Sequence, residues 1–118
     1  MMNNEQLELW KNLKEDNTLE EVQEYIRKVI EIRGFSNQSI EQAMLLLTEE
    51  IGELAKAIRK EKTTMSIDNN KIRNYDTIES EVADVFIVLC TICNKLNINL
   101  FSSLKYKEKE NIERIWKK

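Results

Sequence analysis

The sequence predicts an all-α protein, a four-helix-type bundle completed by oligomerisation, and three observations carry that expectation. Chain punctuation is scarce: the 118 residues include no proline and two glycines, where average usage gives about six and about eight. That shortage excludes the turns of a β-sandwich or barrel, collagen-like repeats and Pro/Gly-rich disorder. The balance of 42% hydrophobic and 33% charged residues fits helices with one buried and one solvated face. The apolar residues also recur at three- and four-residue spacing between recognisable caps. One small domain of this kind has a marginal core, so further copies are expected to complete it.

Each element follows in order. Residues 1–17 form an N-terminal arm, with Leu7, Trp10 and Leu13 at three-residue spacing, and residues 18–118 the helical domain. Thr18 and Glu21 make a capping box for a helix carrying Leu19, Val22, Ile26, Val29 and Ile30, which Gly34 stops. Ser39 and Gln42 make a second box, opening a long helix from Ile40 to about Lys60. Thr63 to Tyr75 is polar and aperiodic and reads as a mobile loop. Asp76 then caps a helix that runs to Leu96 and is apolar almost all round. A buried strand over Val85–Cys90 is disfavoured, because the apolar pattern continues through Ile92, Cys93 and Leu96, beyond normal strand length and with no turn signal inside. Asn97–Asn99 break this helix, and Asn99 caps a last one bearing Phe101, Leu104, Ile112 and Ile115.

Charge and composition narrow the function. With 18 Lys+Arg against 21 Asp+Glu, the net charge is −3, which is the wrong sign for a nucleic-acid partner. Histidine is absent, which removes His general bases, catalytic triads, His zinc sites and Glu-x-x-His di-iron bundles. No membrane partner is expected, because Val85–Cys93 is about half of a bilayer span. The first residues are neither basic nor apolar, so no signal peptide is expected and the cytoplasm is the expected location. Cys90 and Cys93 lie late in an apolar helix, where core packing outweighs a redox or zinc role. Lys56, Arg59, Lys60 and Lys62 suit the C-terminal end of a helix dipole.

Two acidic runs stand out. On a helix advancing about 100° per residue, Glu49, Glu53 and Glu50 fall at roughly 0°, 40° and 100°. Met44, Leu47, Ile51, Leu54, Ala55 and Ile58 span an apolar arc from about 140° to 240°, which puts Glu50 at the edge of the core-facing stripe. Gly52 costs about 1 kcal/mol relative to Ala mid-helix, which a close helix or ligand approach would explain. The second run places Glu81 and Asp84 at i and i+3 on the most apolar helix. Buried carboxylates need a positive partner. Like charges at Glu49 and Glu53 weaken a helix that lysine would support. Two acid clusters beside core stripes therefore point to a shared cation site. An all-oxygen donor set selects a hard ion, Mg²⁺ or Mn²⁺ ahead of Zn²⁺, and so many carboxylates nearly balance two such ions. Phosphate chemistry is the natural use of such a site.

The runs LLLTEEIGELAKAI and ESEVADVFIVL, Glu-Glu-x-x-Glu followed by Glu-x-x-Asp, resemble those of the MazG-like nucleotide pyrophosphohydrolases. These belong to the all-α NTP pyrophosphatase superfamily. The resemblance implies Mg²⁺-dependent hydrolysis of (deoxy)nucleoside triphosphates to monophosphate and pyrophosphate, in the service of nucleotide-pool house-cleaning. It implies Glu50, Glu53, Glu81 and Asp84 as metal ligands, with Glu49 in a supporting catalytic role. Lys107, Asn111 and Arg114 share one helical face and resemble the family's Lys-x-x-x-Asn-x-x-Arg pattern, which meets phosphates and sugar. The family also implies a homodimer or homotetramer. Relatives often carry an aromatic where this chain has Val88; a base-stacking contact is then absent or comes from Phe35, Tyr75 or Trp10. The alternatives are a phosphoribosyl-ATP pyrophosphohydrolase on the same scaffold, or a non-catalytic cation-binding module.

Overall fold

A computed structural model describes residues 4–65 and 77–116. The described residues form five α-helices and no strand: α1 (Asn4–Lys11), α2 (Leu19–Ile32), α3 (Ile40–Lys62), α4 (Ile78–Lys95) and α5 (Leu100–Glu113). The expected arm carries α1, and the other four helices fall close to where the periodicity put them. However, α5 ends at Glu113, so Arg114, expected on its face, is an extended C-cap and Ile115 lies beyond the helix. No single helix of the described residues is long and apolar enough to cross a membrane.

The helix ends follow the sequence closely. The Thr18 and Ser39 hydroxyls accept the backbone N–H of Glu21 and Gln42 (both 3.1 Å), while Glu21 and Gln42 reach back to the cap amides, so both capping boxes close. Gly34, at φ +84°, ends α2: the Phe35 N–H reaches the Ile30 carbonyl (3.0 Å) and the Gly34 N–H reaches that of Glu31 (3.1 Å). This is a Schellman closure. Asn97, at φ 56°, ends α4 in the same way through Ile98 N–H to Cys93 and Asn97 N–H to Asn94. Asparagine takes that left-handed position because its short polar side chain tolerates it better than most. Asn99 then caps α5 by accepting the Ser102 N–H at 2.8 Å. At the start of α4 the Thr77 hydroxyl accepts the Ser80 N–H (3.1 Å). The expected cap, Asp76, lies outside the described residues, as does most of the expected loop, including Tyr75.

The chain divides into two units, Met1–Asn37 with Cys93–Lys118, and Gln38–Ile92. In the first, Ile26, Val29 and Cys93 are buried, together with one amide, Gln23. Its Nε2 donates to Asn94 Oδ1 (3.2 Å) and to the Ile98 carbonyl (2.9 Å), and its Oε1 accepts the Leu100 N–H (2.8 Å). Asn94 Nδ2 in turn donates to the Gln23 carbonyl (2.9 Å). The side-chain amides of buried Gln23 and half-buried Asn94 thus both have partners within the protein.

In the second unit, Ala43, Val88 and Ile92 pack with Leu46 and Leu47. The inward face of α3 is turned from the expected arc. Ala43, Leu46, Leu47, Leu54 and Ala57 are the buried or half-buried apolar positions, and they span roughly 60° to 160° on the same helical wheel. Met44, Ile51 and Ile58, expected inside, are instead exposed, as are Val82 and Leu89 on α4. Each set repeats every seven residues, the spacing of a helix seam that packs on another helix. A Cβ at Gly52 would meet nothing within 4 Å, so no described residue makes the close approach expected there.

Candidate functional site

The rotation of α3 places Glu50 near the middle of its inward face. Glu81 and Asp84 project from the first turns of α4, one turn apart. A carboxylate oxygen from each of Glu50, Glu81 and Asp84 lies within 4.8 Å of the other two. Glu81 is the most enclosed, at 5% exposure, while Glu50 and Asp84 are half-buried. Three acids converging from two helices of one unit, one of them almost dry, form a site that suits a cation.

Donor chemistry tests the fit. The donors are all carboxylate oxygen, and the chain has no histidine. Oxygens around an octahedral Mg²⁺ at about 2.0–2.1 Å stand roughly 3 Å apart in cis and 4 Å in trans. The cluster is within a small side-chain adjustment of that spacing. The acids fit Mg²⁺ or Mn²⁺ better than zinc, which prefers nitrogen and sulfur.

The remaining expected residues are placed differently. Glu53 is exposed and lies 3.7 Å from Lys56 Nζ, one turn away on the same helix. Glu49 lies on the solvent side of α3. Lys107, Asn111 and Arg114 belong to the other unit. There Lys107 pairs with Glu110 (3.0 Å), and Asn111 Nδ2 donates to Glu108 (2.8 Å). The Arg114 guanidinium lies over the Trp116 ring at 5.3 Å, a cation–π contact. Cys90 and Cys93 are buried free thiols, and burial pushes the Cys93 thiol up, away from the reactive thiolate. Of the three candidates for a base-stacking aromatic, Phe35 is exposed just past α2, Trp10 lies on α1 and Tyr75 is outside the described residues.

Sequence reasoning did not single out Gln23 or Trp116. A clue to Gln23 was present, since an amide interrupts the apolar stripe between Val22 and Ile26. For Trp116, near the end of the chain, no periodic pattern was available.

The sequence model of one known family, described as the MazG nucleotide pyrophosphohydrolase domain, matches residues 38–115. No curated protein and no solved structure matches the chain.

Proposed function

Because the chain belongs to the MazG nucleotide pyrophosphohydrolase family, we propose that it hydrolyses (deoxy)nucleoside triphosphates to monophosphate and pyrophosphate with Mg²⁺, for which Mn²⁺ can substitute. The observation that carries this reading is the convergence of Glu50, Glu81 and Asp84 within 4.8 Å. These three carboxylates hold the ion, and Glu53 joins them by leaving Lys56. When bound, a divalent ion neutralises phosphate charge and lowers the pKa of coordinated water. Glu49, at the solvent edge, orients the attacking water. Lys107 and Arg114 supply charge-assisted donors to phosphate oxygens. The amide of Asn111 both donates to and accepts from the sugar.

The assembly we propose is a homodimer or homotetramer. The exposed seven-residue stripes of Met44, Ile51 and Ile58 on α3 and Val82 and Leu89 on α4 support it. Ile51 and Val82 are each 51% exposed. The cytoplasm is the proposed location, where Cys90 and Cys93 stay reduced, and the service is removal of unwanted nucleotides.

The test is a panel of NTPs, dNTPs and phosphoribosyl-ATP incubated with the protein and Mg²⁺, with products identified by chromatography. Monophosphate and pyrophosphate are expected. Diphosphate and orthophosphate would contradict the cleavage position, and no turnover of any substrate would leave a non-catalytic cation-binding module.

A further inference from the structure

A second hollow lies in the other unit, against the N-terminal helix. Gln6, Leu7 and Trp10 of α1 face Tyr25 of α2 and Arg33 at its end around a cavity of about 260 Å³. The two helices are tied at its rim, where Arg33 Nε donates to Gln6 Oε1 at 2.8 Å. That bond ties the Arg33 guanidinium, which shares the lining with the two rings, to α1. Trp10 remains 61% exposed although it forms a wall of the cavity, so much of its indole is open to a ligand.

The chemistry of these walls is selective. Indole, phenol and guanidinium groups all offer flat faces, on which planar rings stack. Their polar edges are mainly donors: indole N–H, phenol O–H and guanidinium N–H. A complementary ligand is flat and rich in acceptors. Size limits it further, because pockets that engulf a whole drug-sized ligand start at about 300 Å³. This one has room for a ring system and leaves the rest of the ligand outside. We infer that the α1–α2 hollow binds the heteroaromatic base of a nucleoside or nucleotide, stacked against Trp10 and Tyr25 with its ring acceptors towards Arg33.

This inference stands apart from the acid cluster, and its test needs neither phosphate nor metal. In a Trp116→Phe protein, Trp10 is the sole indole. Adenosine, guanosine, cytidine and uridine are titrated in turn into that protein without divalent ions, following indole fluorescence. Saturable quenching by at least one nucleoside is expected. Its midpoint should move to about ten-fold higher concentration in Tyr25→Ala, the loss of one stacking face, and rise in Arg33→Ala, whose side chain is exposed. The indole N–H resonance of Trp10 should shift with the same midpoint, a readout independent of either variant's stability. Quenching that rises linearly for all four nucleosides, as with free N-acetyltryptophanamide, with an unmoved indole resonance, would overturn the inference.

Discussion

Glu81 holds a carboxylate almost wholly out of water within 4.8 Å of two others. Without a cation these charges repel one another through a medium that screens them poorly. Glutamine keeps the shape and removes one charge. Glu81→Gln is therefore expected to bind a divalent ion more weakly than the parent. Added Mg²⁺ should raise the melting temperature of the parent and leave that of the variant nearly unchanged. A ligand at 100 times its Kd stabilises by about 2.7 kcal/mol, which scanning calorimetry resolves. Pyrophosphate release by the variant should fall by about 100-fold or more. The sequence exposed this residue because an acid amid Val82, Val85 and Phe86 conflicts with its neighbours. It did not expose Gln23, since a neutral amide on a helix reads as solvated until its partners 71 to 77 residues away are seen.

At the scale of the element, α2 is held at its start by hydrogen bonds and at its middle by Gln23. Thr18→Ala should cost about 1 kcal/mol in denaturant unfolding, the usual value of such a cap. The Glu21 carboxylate accepts the Thr18 N–H at 2.8 Å, and that backbone bond, aided by the Thr18 hydroxyl, holds its pKa below 4.5. The charged form is thus favoured by folding. Its contribution is present above the ordinary value and is lost as pH falls through the lower folded one. Glutamine retains the acceptor without the charge, so the melting-temperature gap between wild type and Glu21→Gln should narrow on acidification below pH 4.5. Gln23→Ala leaves the Leu100 N–H, the Ile98 carbonyl and the Asn94 side-chain oxygen without their partner, and should cost about 1–3 kcal/mol. Helix ends were legible because capping is local chemistry within three or four residues. The rotation of α3 was not, because its apolar residues cover two faces and sequence alone does not say which one the chain itself buries.

Those two faces bear on the whole molecule. Residues expected in the core, Met44, Ile51 and Ile58, stand exposed along one seam of α3, as Val82 and Leu89 do on α4. If a second copy covers that seam, Ile51→Glu should yield a smaller, still helical species, seen as a lower sedimentation coefficient with unchanged far-ultraviolet dichroism. The fold class was readable from punctuation and periodicity, both properties of single segments. The proposed assembly draws on surfaces of two helices at once, and no single periodic pattern encodes it.

The amide pair at Gln23 and Asn94 has a consequence in time. Its bonds join parts of the chain more than 70 residues apart, so the entropy of closing that long loop has to be met before they can form. They are expected to act as a late latch, made after the rate-limiting ascent and broken early on the way out. Gln23→Ala should therefore steepen the loss of native molecules, raising the unfolding limb of the chevron while the refolding limb stays nearly where it was.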